Sequence, residues 1–534
     1  MPDAVVIGAG HNGLVAAAML ADAGWSVAVL EAQDIPGGAV RTEELTVPGF
    51  RHDTFSAFYP FAAASPALAA LDLGAHGLRW RRSPLVLAHP TPDGRCMALS
   101  TDVDETAESL DCYAPGDGDG WRRLYRRWEE LSRPLFDSFL GPFPPLRAAT
   151  RLAAALGPSE WIPFARFALL PARQMAKEEL TGGGEGGRLL LGGNAAHTDI
   201  GPEAAGSGLY GWILASAGQQ HGFPVPEGGA GELVAALVRR AEAAGATVTC
   251  GTPVAKIVVR GGRAVAVRTG DGTEIDARRA VLADVDAPTL LLDLVGTEHL
   301  PSRVVDDFRR RFEWDASTFK VDWALDGPIP WTAEAARRAA TVHVTDSLDE
   351  LSRYFTDLAT STVPSRPFLL FGQQAVADPS RCPPGTATGW AYTHVPRAAR
   401  FGPGESEAYA DVIEARVEEL APGFRSLVRA RHVLPPSAME AADANLRGGA
   451  VGGGTQQLHQ QLVFRPTAGL GRPSTPVAGL FLAGSSAHPG PGVHGACGAN
   501  AARAALFSDR VRRMGAALPL ARRSEMQPPS TRTS

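Results

Sequence analysis

The N-terminal hydrophobic pattern predicts two short buried strands around one helix. Residues 4–7 are a short apolar run, and residues 25–30 are a second one. Between them, residues 14–23 are small and apolar, which is typical of a closely packed helix, and Gly24 ends this stretch. Two apolar strands joined by a helix indicate a βαβ unit, the building block of a parallel sheet with helices on its faces.

Farther along the chain, the apolar positions alternate between strand-like and helix-like spacing. The pattern of short apolar strands recurs at residues 222–290 and 442–510, whereas the segments between these regions have the pattern of a second domain. We predict strands at residues 85–89, 96–100, 248–250, 254–259, 264–268, 280–283, 317–325 and 477–483, and helices at residues 121–140, 232–244, 405–420 and 496–507.

The turn after the first strand carries a phosphate-binding pattern. Gly8, Gly10 and Gly13 form G-x-G-x-x-G between the strand and the helix, and Glu31 ends the second strand. Gly8 permits the tight turn, Gly10 lets the backbone approach a pyrophosphate, and Gly13 lets the helix pack on the strand. The helix N-terminus offers free N–H groups to the phosphates, and Glu31 is placed to bind a ribose hydroxyl. These features predict a dinucleotide site.

A glycine pair favours FAD over NAD as the dinucleotide. Gly37 and Gly38 lie just beyond the carboxylate, and Arg41 and Thr42 follow them. Adjacent glycines let backbone amides face a second phosphate, and an arginine adds a bidentate contact. The pattern resembles the glycine-pair motif of amine-oxidase-like flavoproteins, where it extends the FAD site. We therefore predict FAD as the cofactor.

A second match to the same glycine pattern occurs at Gly182, Gly184 and Gly187. It follows a helical segment rather than a strand, and it opens no βαβ unit. We interpret it as a linker loop, and we expect no separate NAD(P) domain.

Composition and charge exclude several classes of function. The 534 residues carry a net charge of -6, which argues against nucleic acid as a partner. The length suits two domains rather than one core. The cysteines are few and dispersed, so the sequence predicts no disulfide framework, zinc site or redox dithiol, and no metal site; they are Cys96, Cys112, Cys250, Cys382 and Cys497.

The distribution of apolar and charged residues also bears on the location of the protein and on the role of its helical region. The chain begins directly with a strand, which leaves no room for a cleaved signal peptide, and no uncharged apolar run reaches membrane-span length. We expect a cytoplasmic location. Residues 121–175 combine apolar helical spacing with many arginines, which fits either a helical cap over the substrate or a helix on a membrane. The cap is favoured, and peripheral membrane contact stays open.

The end of the chain makes a family resemblance specific. The strand at 477–483 leads into a long Gly/Pro loop at 484–495 and a helix, whose N-terminus would stabilise the negative charge of a reduced flavin. Together with residues 4–42 and 223–229, this ending resembles phytoene desaturases and the phytoene-dehydrogenase-related oxidoreductases, within the amine-oxidase-like flavoproteins.

The resemblance implies an α/β fold in which a Rossmann-like FAD-binding domain is assembled from three segments and interleaved with an α+β substrate or cap domain. We assign residues 1–86, 222–290 and 442–510 to the FAD domain, 87–221 and 291–441 to the cap domain, and 511–534 to a flexible tail. The FAD contacts implied by the resemblance are Gly8, Gly10, Gly13, Glu31, Gly37, Gly38, Arg41, Thr42, Val254, Gly484, Gly495 and Ala496.

Catalytic side chains are harder to assign than cofactor contacts, because in this family the flavin itself supplies most of the chemistry. The candidates are Lys320, which resembles the flavin-facing lysine of some amine oxidases or is a salt-bridged lysine, and His197 and His494. His488 and Cys497 are better explained by loop hydrogen bonding and by packing against the cofactor.

The function implied is hydride abstraction from an apolar organic substrate, isoprenoid-like or amine-type, with the flavin reoxidised by oxygen or a quinone. The alternatives are an FAD-dependent isomerase or ketolase, an amine oxidase on an apolar substrate, and a non-catalytic regulatory flavoprotein. The oligomeric state stays open.

Overall fold

The first forty residues fold as the predicted βαβ unit. In this computed structural model, which describes residues 1–517, strand β1 (Ala4–Ile7) is fully buried and pairs in parallel with β2 (Val27–Leu30). Helix α1 (His11–Asp22) connects them and packs small side chains on the sheet, since most of its residues are buried. The apolar run of the sequence thus becomes the centre of a parallel sheet, covered on both faces.

The remaining elements within residues 1–517 alternate between two sheets and a helical region. The further strands are β3 (Thr42–Glu43), β4 (His52–Asp53), β5 (Trp80–Arg81), β6 (Leu85–Pro90), β7 (Cys96–Leu99), β8 (Val225–Pro226), β9 (Thr247–Thr249), β10 (Val254–Arg260), β11 (Arg263–Thr269), β12 (Glu274–Asp276), β13 (Ala280–Ala283), β14 (Ser317–Leu325), β15 (Ala339–Val344), β16 (Leu369–Gly372), β17 (Ala387–Val395), β18 (Val428–Leu434) and β19 (Leu480–Leu482).

The further helices are α2 (Pro60–Ala64), α3 (Pro66–Ala69), α4 (Val103–Asp111), α5 (Asp117–Leu140), α6 (Leu146–Leu156), α7 (Trp161–Leu169), α8 (Ala172–Glu179), α9 (Glu185–Ala196), α10 (Ser207–His221), α11 (Gly231–Ala243), α12 (Ser302–Arg310), α13 (Glu334–Arg338), α14 (Leu348–Ala359), α15 (Glu405–Leu420), α16 (Phe424–Leu427), α17 (Pro436–Ala442) and α18 (Ala496–Ala517).

The first sheet is parallel and has the order β19-β13-β1-β2-β9. Its five strands come from three separate parts of the chain, 4–30, 247–283 and 480–482. One face is covered by α1, α11 and α18, and the other packs against the antiparallel strands β10, β11 and β12. The fold is therefore an α/β Rossmann-like domain built from distant segments.

The second sheet has seven strands in the order β18-β14-β17-β16-β15-β6-β7, antiparallel except for the β15–β6 pair. Alternate residues of β14 point to opposite faces. Phe319, Val321 and Trp323 join the apolar core beneath α15. Lys320 and Asp322 belong to the opposite face, which is polar although it is buried. A buried polar face is unusual for a sheet and marks this surface for function.

The helical region shows two different surfaces. Helix α5 buries its apolar stripe, including Trp121 and Trp128, in one core with α8, α9 and α10. In contrast, α6 has no buried residue, and Trp161 and Ile162 at the start of α7 are 51% and 83% exposed. The predicted stripe is therefore core in α5, whereas α6 and α7 keep apolar side chains on the surface.

Three predicted boundaries differ from the structure. The boundary at residues 86/87 cuts strand β6, which begins at Leu85 and belongs entirely to the second sheet. The predicted tail begins too early, because α18 continues to Ala517; residues 518–534 lie outside the described part. The second glycine pattern is only partly a loop, since α9 begins at Glu185.

Candidate cofactor and substrate site

The three glycines of the first motif lie at the turn from β1 into α1. Gly8 has a φ of +91°, which favours glycine. A Cβ added at Gly13 would overlap the carbonyl oxygen of Gly8. Gly10 precedes α1 and has no side chain to cap it, while the Gly13 N–H in the first turn donates to Asp284 at 2.8 Å. The amides of the first turn before Gly13 are left to an anion, as the pyrophosphate of FAD requires.

Glu31 lies at the end of β2, beside the same turn. Its Oε2 accepts the Ala9 N–H at 2.7 Å, and its Oε1 accepts the Gln33 N–H at 2.9 Å. The carboxylate is therefore held in place by the backbone, and each oxygen keeps a lone pair for a ribose hydroxyl. The chain before β10 runs along this strand end, where the Thr252 N–H donates to the carbonyl of Glu31, and half-buried Val254 follows two residues later.

The glycine pair lies against the first motif. Gly37 forms a bridge with Gly10 and donates its N–H to the carbonyl of Ala9 at 3.0 Å. Gly37 and Gly38 both have positive φ, +134° and +54°. Two close backbone segments without side chains form a cradle for a phosphate group.

Arg41 is buried behind this cradle, over the Phe55 ring. One Nη donates to the carbonyl of Ala442 at 3.3 Å, while its Nε has no hydrogen-bond partner among residues 1–517. An orphaned guanidinium N–H beside a phosphate cradle fits FAD. Thr42 differs, because its hydroxyl donates to Asp53 and accepts the Gly231 N–H, so its side chain serves the fold.

The third segment brings a second helix N-terminus to the first. Gly484 follows β19, where a Cβ would lie 2.5 Å from the carbonyl of Val285, and Gly495 precedes α18 with a φ of +66°. The Ala496 N–H donates to His494 Nδ1 at 3.0 Å. His494 thus caps α18, and burial lowers its pKa to about 3. A neutral capping imidazole is positioned as a structural group rather than as a proton donor at pH 7.

Cys497 and His488 are packing residues of this loop. The Cys497 thiol contacts the carbonyls of Ala487 and Gly490, and burial raises its pKa to about 12. A thiol of that kind is a poor nucleophile at neutral pH. Burial also lowers the pKa of His488 to about 4, and its ring packs against that of Phe143.

Lys320 is a salt-bridged lysine. Its Nζ donates to Asp322 at 2.5 Å and to the carbonyl of Asp53 at 3.0 Å, and it lies 5.6 Å from the centre of the Trp390 ring. Burial raises the pKa of Asp322 to about 6, while the ammonium of Lys320 opposes that shift. Lys320 and Asp322 therefore form a buried ion pair on the polar sheet face.

His197, which is partly exposed, begins a hydrogen-bonded chain that continues to two buried histidines. Its Nε2 bonds Nε2 of His343 at 2.5 Å, and Nδ1 of His343 bonds Nε2 of His89 at 2.9 Å. Burial lowers the pKa of all three rings, to about 3 for His197 and His89. The rings are hence neutral, and His197 is the member that keeps partial exposure.

Asp199, two residues beyond His197, and Tyr392 keep part of their surface accessible, yet burial raises the pKa of each. Poor solvation disfavours the charged form of both groups. Tyr392 is stacked on Trp390 with the rings 3° from parallel, and the centre of the Phe58 ring lies 5.9 Å from the centre of the Trp390 ring. These three rings form an aromatic wall on the polar sheet face.

One important site feature escaped the sequence analysis. Asp53 and Arg381 form a fully buried bidentate ion pair, with distances of 3.0 and 2.8 Å. Asp53 also accepts from Thr42 and from the Ala230 N–H. Its partners are scattered over more than three hundred residues, so local spacing carries no signal for it. In residues 1–517, no group of three or more His, Cys, Asp or Glu side chains could hold a metal ion.

Comparison with known proteins identifies the family. The family described as flavin containing amine oxidoreductase matches residues 13–506. Pyridine nucleotide-disulfide oxidoreductase domain-containing protein 2 of Rattus norvegicus is 30% identical, over 94% of this chain and 92% of that protein. A limonene dehydrogenase polypeptide of Castellaniella defragrans is 25% identical, over 94% of this chain and 94% of that protein.

Phytoene desaturase (lycopene-forming) of Paracoccus sp. is 27% identical, over 95% of this chain and 97% of that protein. Among solved structures, an oxidoreductase from Methanosarcina mazei matches with a TM-score of 0.59 and 16% identity, over 94% of this chain and 99% of that chain, which supports the fold. The predicted resemblance to phytoene desaturases and to amine-oxidase-like flavoproteins is confirmed, and so is FAD as the cofactor. The chain belongs to the flavin containing amine oxidoreductase family and is an FAD-dependent oxidoreductase.

Proposed function

We propose that this protein is a dehydrogenase or desaturase of an uncharged, apolar organic substrate of the isoprenoid class. The observation that carries the proposal is the aromatic wall of Phe58, Trp390 and Tyr392, because Lys320 already places an ammonium group over Trp390. Aromatic rings attract cations, but Lys320 already occupies this position over Trp390, and Asp322 neutralises its charge, so the wall offers no net charge that would attract a charged amine. An apolar substrate needs no such charge, and it buries its surface against the rings.

The relatives point the same way, since limonene and phytoene, named in two of them, are both isoprenoid hydrocarbons. In this proposal FAD accepts the two electrons of the oxidation, and oxygen or a quinone reoxidises it. The chain's part is to hold FAD through Gly8, Gly10, Gly13, Glu31, Gly37, Gly38 and Arg41, with backbone contacts near Val254, Gly484, Gly495 and Ala496. The aromatic wall orients the substrate and excludes water.

Anaerobic mixing with candidate substrates tests the proposal. A cyclic monoterpene, a linear carotenoid precursor and a primary amine of similar size are each mixed with the holoprotein, and the loss of the oxidised flavin absorption is followed. We expect bleaching with one of the hydrocarbons and none with the amine. Bleaching by the amine alone would assign the protein to amine oxidation, and a product at the same oxidation level as the substrate would indicate isomerisation.

We expect NADH and NADPH to reduce the bound FAD more slowly than about 1 s⁻¹, the lower end of ordinary turnover numbers. The second glycine pattern gives no phosphate site, because the Gly183 and Gly184 amides already donate to the carboxylate of Asp117 at 3.2 and 2.8 Å. Anaerobic stopped-flow absorption with each nucleotide measures the rate. Reduction at tens per second would make the protein a pyridine-nucleotide-dependent reductase.

The exposed face of α6 and α7 is the proposed membrane contact. Leu146, Trp161, Ile162 and Leu169 are between 51% and 83% exposed, and arginines lie among them. Apolar side chains bordered by arginine suit the headgroup region of an anionic bilayer, where an apolar substrate would also be dissolved. In residues 1–517, no helix is long and apolar enough to cross a membrane, so the proposed contact is peripheral.

Flotation with vesicles tests this contact. We expect the protein to float with vesicles containing phosphatidylserine at low salt, and to be released at high salt because screening weakens the arginine contacts. The double variant Trp161→Ser, Ile162→Ser should stay at the bottom of the gradient. The matched control Phe507→Ser, Met514→Ser removes exposed apolar residues of α18 and should still float. If the wild-type protein does not float at low salt, the membrane contact is rejected, and α6 and α7 are then only a cap over the substrate.

A further inference from the structure

A carboxyl group lies against the phosphate-binding turn. Asp284 follows β13, the parallel neighbour of β1, and its N–H donates to the carbonyl of Ile7 at 2.8 Å. Its Oδ2 accepts the Gly13 N–H, also at 2.8 Å. A Cβ added at Gly10 would lie 2.5 Å from that oxygen. Asp284 therefore touches the first turn of α1, where the pyrophosphate of FAD would bind.

The surroundings of Asp284 disfavour its negative charge. Burial, together with the charges of Glu31 and Asp443 and against the Gly13 N–H, raises the pKa of Asp284 to about 7. The Cys497 thiol also faces it, and burial keeps that thiol protonated. The cationic side chain of the motif, Arg41, lies close to Asp443, where it opposes the rise in pKa that burial causes.

We propose that Asp284 is a cofactor-binding residue that holds FAD in its protonated form, so that FAD binding takes up one proton from solvent. A pyrophosphate carries two negative charges, and bringing it to the turn adds repulsion to any ionised carboxylate there. As a neutral acid, Asp284 can keep accepting from Gly13 through one oxygen while its O–H donates to the phosphate.

The direction of the pH dependence follows from linkage. Below pH 7, Asp284 is already protonated in the free protein, so the dissociation constant of FAD is independent of pH. Above that pH the free protein loses the proton, while the complex, with its higher pKa, retains it. The dissociation constant should therefore rise about tenfold per pH unit between pH 7 and 9, until the pKa of the complex is reached.

The test measures FAD release rather than catalysis, so it does not depend on the substrate. Holoprotein is diluted at pH 6 to 9, and the fluorescence of released FAD gives the dissociation constant. We expect the dissociation constant of the wild type to rise with pH above 7, and that of Asp284→Asn to be independent of pH. The asparagine keeps an acceptor for the Gly13 N–H and donates an amide N–H to the phosphate. The matched control is Asp443→Asn, another buried carboxylate of the site, and it should keep the rise with pH.

The proposal would be overturned if the FAD dissociation constant of the wild type did not change with pH, or if that of Asp284→Asn still rose above pH 7. Loss of the rise in Asp443→Asn alone would assign the proton to Asp443 instead. If Asp284→Asn yields no folded protein, titration of FAD into wild-type apoprotein at pH 8, in two buffers of different ionisation enthalpy, counts the protons directly. An uptake near one supports the proposal, and an uptake of zero rejects it.

Discussion

A Gly13→Val variant is expected to purify without flavin, with none of the yellow colour of the wild type. A Cβ at this position would overlap the Gly8 carbonyl oxygen and come within 3.3 Å of Asp284. The Gly8 oxygen is a backbone atom, so that overlap cannot be relieved by turning a side chain, and the contacts with the Asp284 side chain crowd the position further. Helix α1 would have to move away from β1, and its N-terminus would no longer face the phosphates. Absorbance of the purified protein and of the denatured extract measures the bound FAD.

The matched control for this variant is Gly327→Val. A Cβ there would meet only Leu427, at an ordinary distance of 3.7 Å, and Gly327 lies far from the glycine motif in the chain. It should retain FAD in full. Circular dichroism of both variants separates lost binding from lost folding. A Gly13→Val protein with stoichiometric FAD would remove the motif from the cofactor site.

The parts of the fold that the sequence predicted are those specified by neighbouring residues. Apolar runs, a glycine turn and Glu31 all lie within the first 31 residues, and each has a local physical requirement. The alternation in β14 is also local, which is why Lys320 was placed on a strand next to apolar neighbours. The prediction for helix α18 is too short because residues 510–514 are exposed and arginine-rich, and such residues show no apolar period.

The polar sheet face could not be predicted in the same way. His197, His343 and His89 meet although they come from three distant elements, α9, β15 and β6. Each of them, taken alone, looks like an isolated histidine in an apolar stretch. The position of the Asp284 carboxyl group could not be predicted either, because only the pairing of β13 with β1 brings it to the Gly13 amide. Tertiary pairing, rather than spacing, assembles these groups.

The buried ion pair of Asp53 and Arg381 connects the FAD loop with the second sheet. Asp53 accepts from Thr42, which follows the glycine pair, and from the Ala230 N–H at the start of α11. Arg381 comes from the segment between β16 and β17 of the second sheet, and its Nε also donates to Asp378 at 3.1 Å. A single charged pair thus fixes the FAD loop against the sheet that carries the aromatic wall.

An Arg381→Leu variant is expected to lose about 3–5 kcal/mol of stability, because it leaves the carboxylate of Asp53 buried without its counter-charge. Thermal unfolding followed by circular dichroism should show an apparent midpoint lower by roughly 3–5 °C. Since Asp53 also anchors Thr42 and Ala230, the variant should release FAD at a lower temperature than the wild type. The increase in flavin fluorescence on heating measures that release.

The control for Arg381→Leu removes an arginine from the surface pair of Arg260 and Glu274, in which Arg260 is 63% exposed. Exposed pairs contribute about 0–1 kcal/mol, so Arg260→Leu should unfold within roughly 2 °C of the wild type. Arg381→Lys keeps the positive charge but loses the bidentate geometry, and it should fall between the two. If Arg381→Leu unfolds and releases FAD at the wild-type temperature, water or another cation must balance the charge of Asp53. The ion pair would then not be what connects the FAD loop to the second sheet.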